Sequence, residues 1–116
     1  EINDFSHCHC SQCRRLHGAA FGSFGGVSRD AFRYVSGENE IKTYASSDIN
    51  DRVFCGHCGS NILVDSRPEH DELYIAMGKD DGNQSCPPGY HKFVLYKAPS
   101  YEITDDLPRY DEMPED

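Results

Sequence analysis

No stretch of this chain is apolar for long enough to cross a membrane, and none has the hydrophobic run of a secretory leader. Positive charge is scarce. Eleven Lys and Arg stand against 20 Asp and Glu, and the formal net charge of -9 argues against nucleic acid or an anionic membrane as the main partner. There is no internal repeat and no long helical pattern. Gly22, Gly25 and Gly26 are not followed by G-K-[ST], so they do not make a phosphate loop. At 116 residues the chain suits one domain, 1–116, able to bury roughly two-thirds of its unfolded surface. It is too short for separate substrate and cofactor domains. The chain opens on Glu1 without an initiator Met, so the natural protein is expected to begin upstream.

Against these absences stands a concentration of cysteine. Cys8, Cys10 and Cys13 fall in one short run, CHCSQC, with His7 and His9 interleaved and Arg14 and Arg15 directly behind. Both spacings suit thiolates converging on one tetrahedral zinc ion, whereas disulfides between such near neighbours would close strained small rings. A second pair, Cys55-Gly-His-Cys58, sits in the sequence of a zinc-knuckle hairpin, with His57 read as a turn residue. Cys86 has no close cysteine neighbour and reads as a free thiol. Three arrangements are compatible with the spacing. Cys8, Cys10 and Cys13 can form an open three-ligand site doing thiol chemistry. Cys10 and Cys13 can instead join Cys55 and Cys58 in one structural ribbon, or a metal-free redox pair can form. Paired C-x-x-C knuckles are usually structural, so spacing alone favours the ribbon, while the third cysteine keeps the open site in play. Zinc would also supplement a modest core, since apolar residues make up 37% of the chain and mean hydropathy is -0.69. Zinc-type spacing rather than a scattered disulfide framework points to a reducing compartment such as the cytoplasm.

The rest of the chain reads as mainly β with short helical turns. Residues 1–6 lead as a strand into the cysteines, and Ser11–His17 forms a helical turn ended by Gly18. Ala19–Gly26 is a Gly-rich strand or bulge, and Ser28–Phe32 a turn capped by Ser28. FRYVSG and IKTYAS are strand candidates around the turn Gly37-Glu38-Asn39. RVFC and NILVD flank the knuckle, and ELYIAMG and HKFVLY supply two more strands. Ser85–Gly89 is a proline-containing loop, and the tail 105–116 is acidic and extended over the surface or frayed.

CHCSQCRR followed by Gly18, then FCGHCGSNI, HKFVLYKAPSYEI and DDLPRYDE, in that order, resemble the glutathione-dependent formaldehyde-activating enzymes, a family sharing its domain with centromere protein V. The resemblance runs over nearly the whole chain. It implies a two-sheet β-tent with two zinc sites. Cys8, Cys10 and Cys13 would hold a catalytic zinc, and Cys55 and Cys58 would join an earlier C-x-C around a structural one. That earlier C-x-C is absent here, which implies a missing N-terminal strand. Ser100 stands where the family usually has Trp after Lys-Ala-Pro, which puts any contact made by that ring in doubt.

The implied activity is condensation of formaldehyde, or a related aldehyde, with a thiol such as glutathione, a carbon–sulfur lyase reaction. Zinc would accept the thiol and lower its pKa, acting as thiol activator rather than carbonyl polariser. Arg14 and Arg15 would hold carboxylates of the thiol or compensate the anionic zinc cluster. Lys97 and Tyr101 are pocket residues by resemblance, and His7 and His9 shuttle protons or line a polar surface. The alternative is a non-enzymatic zinc-bearing module that binds glutathione or docks a protein partner.

Overall fold

The computed structural model describes residues 2–48, 50–66, 71–79 and 87–114. Strict alternation builds the middle of its sheet. In β5 (Asn61–Asp65) and β6 (Glu72–Ala76), Val64 pairs with Tyr74 on one face and Leu63 with Ile75 on the other. β4 (Asp51–Cys55) continues the pattern, with Arg52 opposite Val64 and Val53 opposite Leu63. β2 (Gly22–Ser28) pairs with β6 on its other side, setting Phe24 opposite Ala76 and Val27 opposite Leu73.

With β1 (Asn3–Cys8), β3 (Ile41–Ala45) and β7 (Tyr90–Lys92), the strands form one seven-stranded sheet in the order β3-β4-β5-β6-β2-β1-β7. All neighbours are antiparallel except β1 and β7. The mainly β class is as expected. Hydrogen bonding does not separate the strands into two sheets, because the β2–β6 ladder runs unbroken from Phe24 to Ser28 and joins the two halves.

Each face carries its own apolar cluster. Val27, Val53, Leu63 and Leu73 lie on one, with Ile2, Phe32, Ile41, Ile62 and Ile75 packed against them. Cys8, Cys13, Phe24, Val64 and Ala76 form the other, with Cys10, Tyr74 and Phe93 alongside. The second cluster places three cysteines among aromatic and aliphatic carbon.

The single α-helix among the described residues, α1 (Ser11–His17), matches its expected bounds. Its N-cap is Cys10, whose sulfur accepts the Cys13 N–H at 3.4 Å. Gly18 closes it at φ 58, donating its N–H to Arg14 O.

Two expected strands differ. Residues 32–36 carry no ladder, and Phe32 and Tyr34 instead meet edge to face at 5.0 Å, with Phe32 packed on the sheet. HKFVLY is a strand only as far as Lys92. Phe93 turns to φ 56, and Val94–Tyr96 closes a 3-10 turn in which Lys97 N–H reaches Val94 O. The turn at Arg29–Ala31 has Ser28 in the cap position without a side-chain cap bond. Ser85 and Cys86 of the proline-containing loop lie outside the described residues.

Leu63 is central to its cluster and 4% exposed. Leu63→Ala is expected to cost about 2–4 kcal/mol of stability in urea titrations. A loss well under 1 kcal/mol would show that this cluster is not a packed core.

Candidate thiol and metal site

Three consecutive local decisions bring the sulfurs together. Cys8 is the last residue of β1 and is pinned between Gly22 of β2 and Lys92 of β7. Cys10 is the helix cap, and Cys13 lies in the first turn of α1. Their sulfurs lie within 4.8 Å of one another, and Cys8 and Cys13 are buried. Among the described residues this is the one group of three or more Cys, His, Asp or Glu side chains able to hold a metal ion.

Cys55 and Cys58 do not join it. Cys55 ends β4 opposite Ile41, and a tight turn follows, in which Gly59 (φ 82) donates its N–H to Cys55 O at 2.7 Å. Cys58 in that turn is exposed. The four-cysteine ribbon that spacing favoured is therefore not formed. The fold groups the third cysteine, Cys8, with Cys10 and Cys13.

The Cys13 and Cys8 thiols both donate to Cys10, which holds Cys10 far below the usual thiol range, aided by the Cys13 N–H and Arg52. By the same bonds Cys8 and Cys13 are pushed up, and burial raises them further. Arg52 is the nearest cation. Its Nη1 and Nη2 lie 3.8 and 3.9 Å from Cys13 Sγ, and Nη2 also donates to Gln12 Oε1 at 3.3 Å.

The cluster borders a cavity of about 630 Å³. Cys8, Cys10 and Cys13 line it together with Arg52, Lys92, Phe24, Val64, Tyr74, Phe93, Tyr96 and Met113. Lys92 Nζ stands 5.8 Å above the Tyr74 ring centroid, a cation–π distance. None of Arg14, Arg15 and Lys97 is among the lining residues. Arg14 Nε donates to Tyr96 O at 3.1 Å, and Arg15 is exposed. Lys97 Nζ turns to the carbonyls of Ala98 (3.1 Å) and Tyr101 (2.5 Å).

The cations at the wall are Arg52 and Lys92, which sequence reasoning missed. One signal existed for Arg52. Hairpin alternation sets it opposite Val64, on the face away from Val53, so an arginine is forced onto a covered side of the sheet. Lys92 offered none, because its place beside Cys8 comes from a parallel ladder between segments distant in sequence.

The histidines take structural places. His7 Nδ1 hydrogen-bonds Ser23 Oγ at 2.8 Å. His9, fully buried, has Nε2 2.9 Å from His91 Nδ1, and His91 Nε2 lies 3.0 Å from Asp105. Asp105 accepts from His91, which holds its carboxyl below the usual range. With His91 donating from Nε2 to Asp105, its Nδ1 accepts from His9 Nε2. Burial lowers His9 to about 4, keeping it neutral near pH 7. Neither His7 nor His9 lines the cavity.

Residues 2–95 match the family described as glutathione-dependent formaldehyde-activating enzyme. The chain belongs to that family. Within it, a 57-residue stretch, 49% of this chain, is 33% identical to a Schizosaccharomyces pombe protein described as an uncharacterized lyase. The aligned stretch is 39% of that relative's length. The family match takes in both cysteine clusters and both cavity cations, Arg52 and Lys92. It ends before Lys97 and before Asp105.

Because Lys97 serves two backbone carbonyls, Lys97→Met is expected to cost about 1–2 kcal/mol in urea titrations. A variant as stable as the parent would show that those bonds are not formed in solution.

Proposed function

We propose that this chain is a zinc-dependent carbon–sulfur lyase-like enzyme that activates a thiol such as glutathione for addition to formaldehyde or a related aldehyde. The observation that carries this reading is the convergence of three cysteine sulfurs at the edge of a large cavity, with no fourth Cys, His or carboxylate donor in the group among the described residues. Three protein ligands and a free position are the pattern of catalytic rather than closed zinc sites. Soft sulfur donors suit zinc, and a buried cation beside them suits the negative charge of such a cluster. The family's name supports the substrate pair, and the relative's name supports the lyase class.

Cys8, Cys10 and Cys13 would hold the ion. Bound there, zinc supplies a Lewis acid that favours the thiolate form of an incoming thiol near neutral pH. The chain's residues do the rest. Lys92 presents a cation beside an aromatic wall and takes up a carboxylate of the thiol, a role first expected of Arg14 or Arg15. Tyr74, Phe93, Tyr96 and Met113 supply the apolar surface that keeps bulk water from the reacting carbon. In the reaction the sulfur–carbon bond forms as the aldehyde π bond breaks, and the thiol proton ends on the new hydroxyl oxygen. No redox change is involved.

Cys55 and Cys58 are proposed as half of a structural zinc site, completed by a C-x-C from residues upstream. Zinc-type cysteine spacing in both clusters supports a reducing cytoplasmic setting.

Exchange NMR on formaldehyde–glutathione mixtures tests the reading. Zinc-loaded protein is expected to accelerate exchange, and Cys10→Ser to lose that acceleration by about 100-fold or more. Glutathione binding with no acceleration in the parent protein would overturn the enzyme and leave a binding domain. Lys92→Gln is expected to raise the thiol KM by about 3–10-fold with kcat little changed, the equivalent of about 0.7–1.4 kcal/mol. A KM equal to the parent's would remove Lys92 from substrate binding.

A further inference from the structure

We propose that Arg52 is a positioning residue of the thiol site, a fixed internal counter-cation that holds Cys13 in place and neutralises the metal–sulfur unit. The inference rests on the metal reading given above and goes beyond it by assigning a residue outside the ligand set.

Arg52 is a cation only 6% exposed. A buried cation without a counter-charge costs several kcal/mol. The ion pairs found among the described residues are Arg29 with Asp65 and His91 with Asp105, and neither includes Arg52. Its hydrogen bonds go to Ser46 Oγ from Nε (3.3 Å), to Gln12 Oε1 from Nη2 (3.3 Å) and to Cys13 Sγ from both Nη1 and Nη2. Of these acceptors only the sulfur can carry charge. Three thiolates around a divalent ion leave one net negative charge, and one guanidinium cancels it. The match is one to one.

The geometry also turns most of the guanidinium toward the protein rather than toward substrate. Nε and both Nη atoms are turned to protein acceptors, and the two Nη straddle a single sulfur. The side chain ties the first turn of α1 to β4 and to Ser46, so Cys13 cannot rotate away from Cys8 and Cys10 without breaking both contacts of its sulfur with Arg52. A lysine would bring the charge but not the fork. Lys92, on β7 beside Cys8 and in the cavity lining, stays available to meet substrate.

The test is metal retention rather than turnover. Reduced protein is loaded with Co(II) or Zn(II), and the ion is drawn off with a chromophoric chelator. The parent is expected to hold the ion at the first cluster, with a cobalt–thiolate charge-transfer band absent in Cys10→Ser. Arg52→Gln is expected to hold it at least tenfold more weakly, Arg52→Lys to fall between, and the exposed-arginine control Arg33→Gln to match the parent. Metal-free thermal melts of each variant report folding separately. If Arg52→Gln does not fold, Arg52→Lys carries the test, with an expected 3–10-fold loss and a shifted cobalt band. A parent that binds while both Arg52 variants retain metal as it does would overturn the proposal and leave the metal site standing. A parent that shows no such band would end the metal reading, and the role of Arg52 with it.

Discussion

A cation and a cluster of sulfurs are buried against each other between α1 and β4, and the placing of the site depends on that pairing. Arg52 reaches the cluster because hairpin alternation sends it to the face opposite Val53, over Val64. Cys13 reaches it because the cap at Cys10 starts α1 at Ser11, setting Cys13 in its first turn. Neither charge is tolerable alone in surroundings made of Phe24, Val64, Tyr74 and Ala76. Together they let an apolar sheet face carry a polar centre. The carbon around them has a second consequence, since a low local dielectric strengthens the contact it surrounds.

The cavity sets cations into an acidic chain. A protein with a formal net charge of -9 repels anionic thiols at long range, yet Arg52 and Lys92 line this wall beside the cysteines and Asp4. With Arg52 set against the sulfurs, Lys92 is the cation left for substrate. They divide the work by their surroundings. Arg52 is consumed by protein acceptors, whereas Lys92 rests over Tyr74, a contact that holds the side chain without occupying its donors. Attraction is thus confined to the place where a carboxylate-bearing thiol would sit, and the outer surface stays acidic.

The elements defined by local rules were legible in the sequence. The Ser11–His17 helix, with its glycine stop, and the alternating strands around the Cys55 knuckle needed only capping and period-two patterning. What could not be read were decisions made by distant partners. FRYVS alternates like a strand, but its rings pack on a face instead of entering a ladder. HKFVLY breaks at Phe93, where a left-handed residue turns the chain toward the tail. In the site the cysteines were visible and their grouping was not, because spacing cannot say which knuckle shares its sulfurs with which. Arg14 and Arg15, expected from their place behind the cysteines, and Lys97, expected by resemblance, lie outside the cavity lining, and backbone carbonyls claim Arg14 and Lys97.

The support beneath the site extends beyond the stretch that matches the family. Residues 105–112 run beside β7, with His91 N–H donating to Pro108 O, Tyr110 N–H to His91 O and Phe93 N–H to Glu112 O. Arg109 holds this segment in a bend by donating to the carbonyls of Ile103 and Asp105. The bend aims Asp105 at His91, and His91 in turn holds His9, which sits between Cys8 and Cys10 in the chain. Of this line only Asp105 is well exposed. Its carboxylate fixes the tautomer of His91, and His91 fixes the ring of His9, so the backbone carrying two of the three sulfurs is anchored by a tail that follows them by some ninety residues in sequence. An acidic, proline-containing terminus of this composition would ordinarily be left to solvent. Here its first carboxylate has a buried partner, and that is the physical reason for the tail to follow β7 rather than fray.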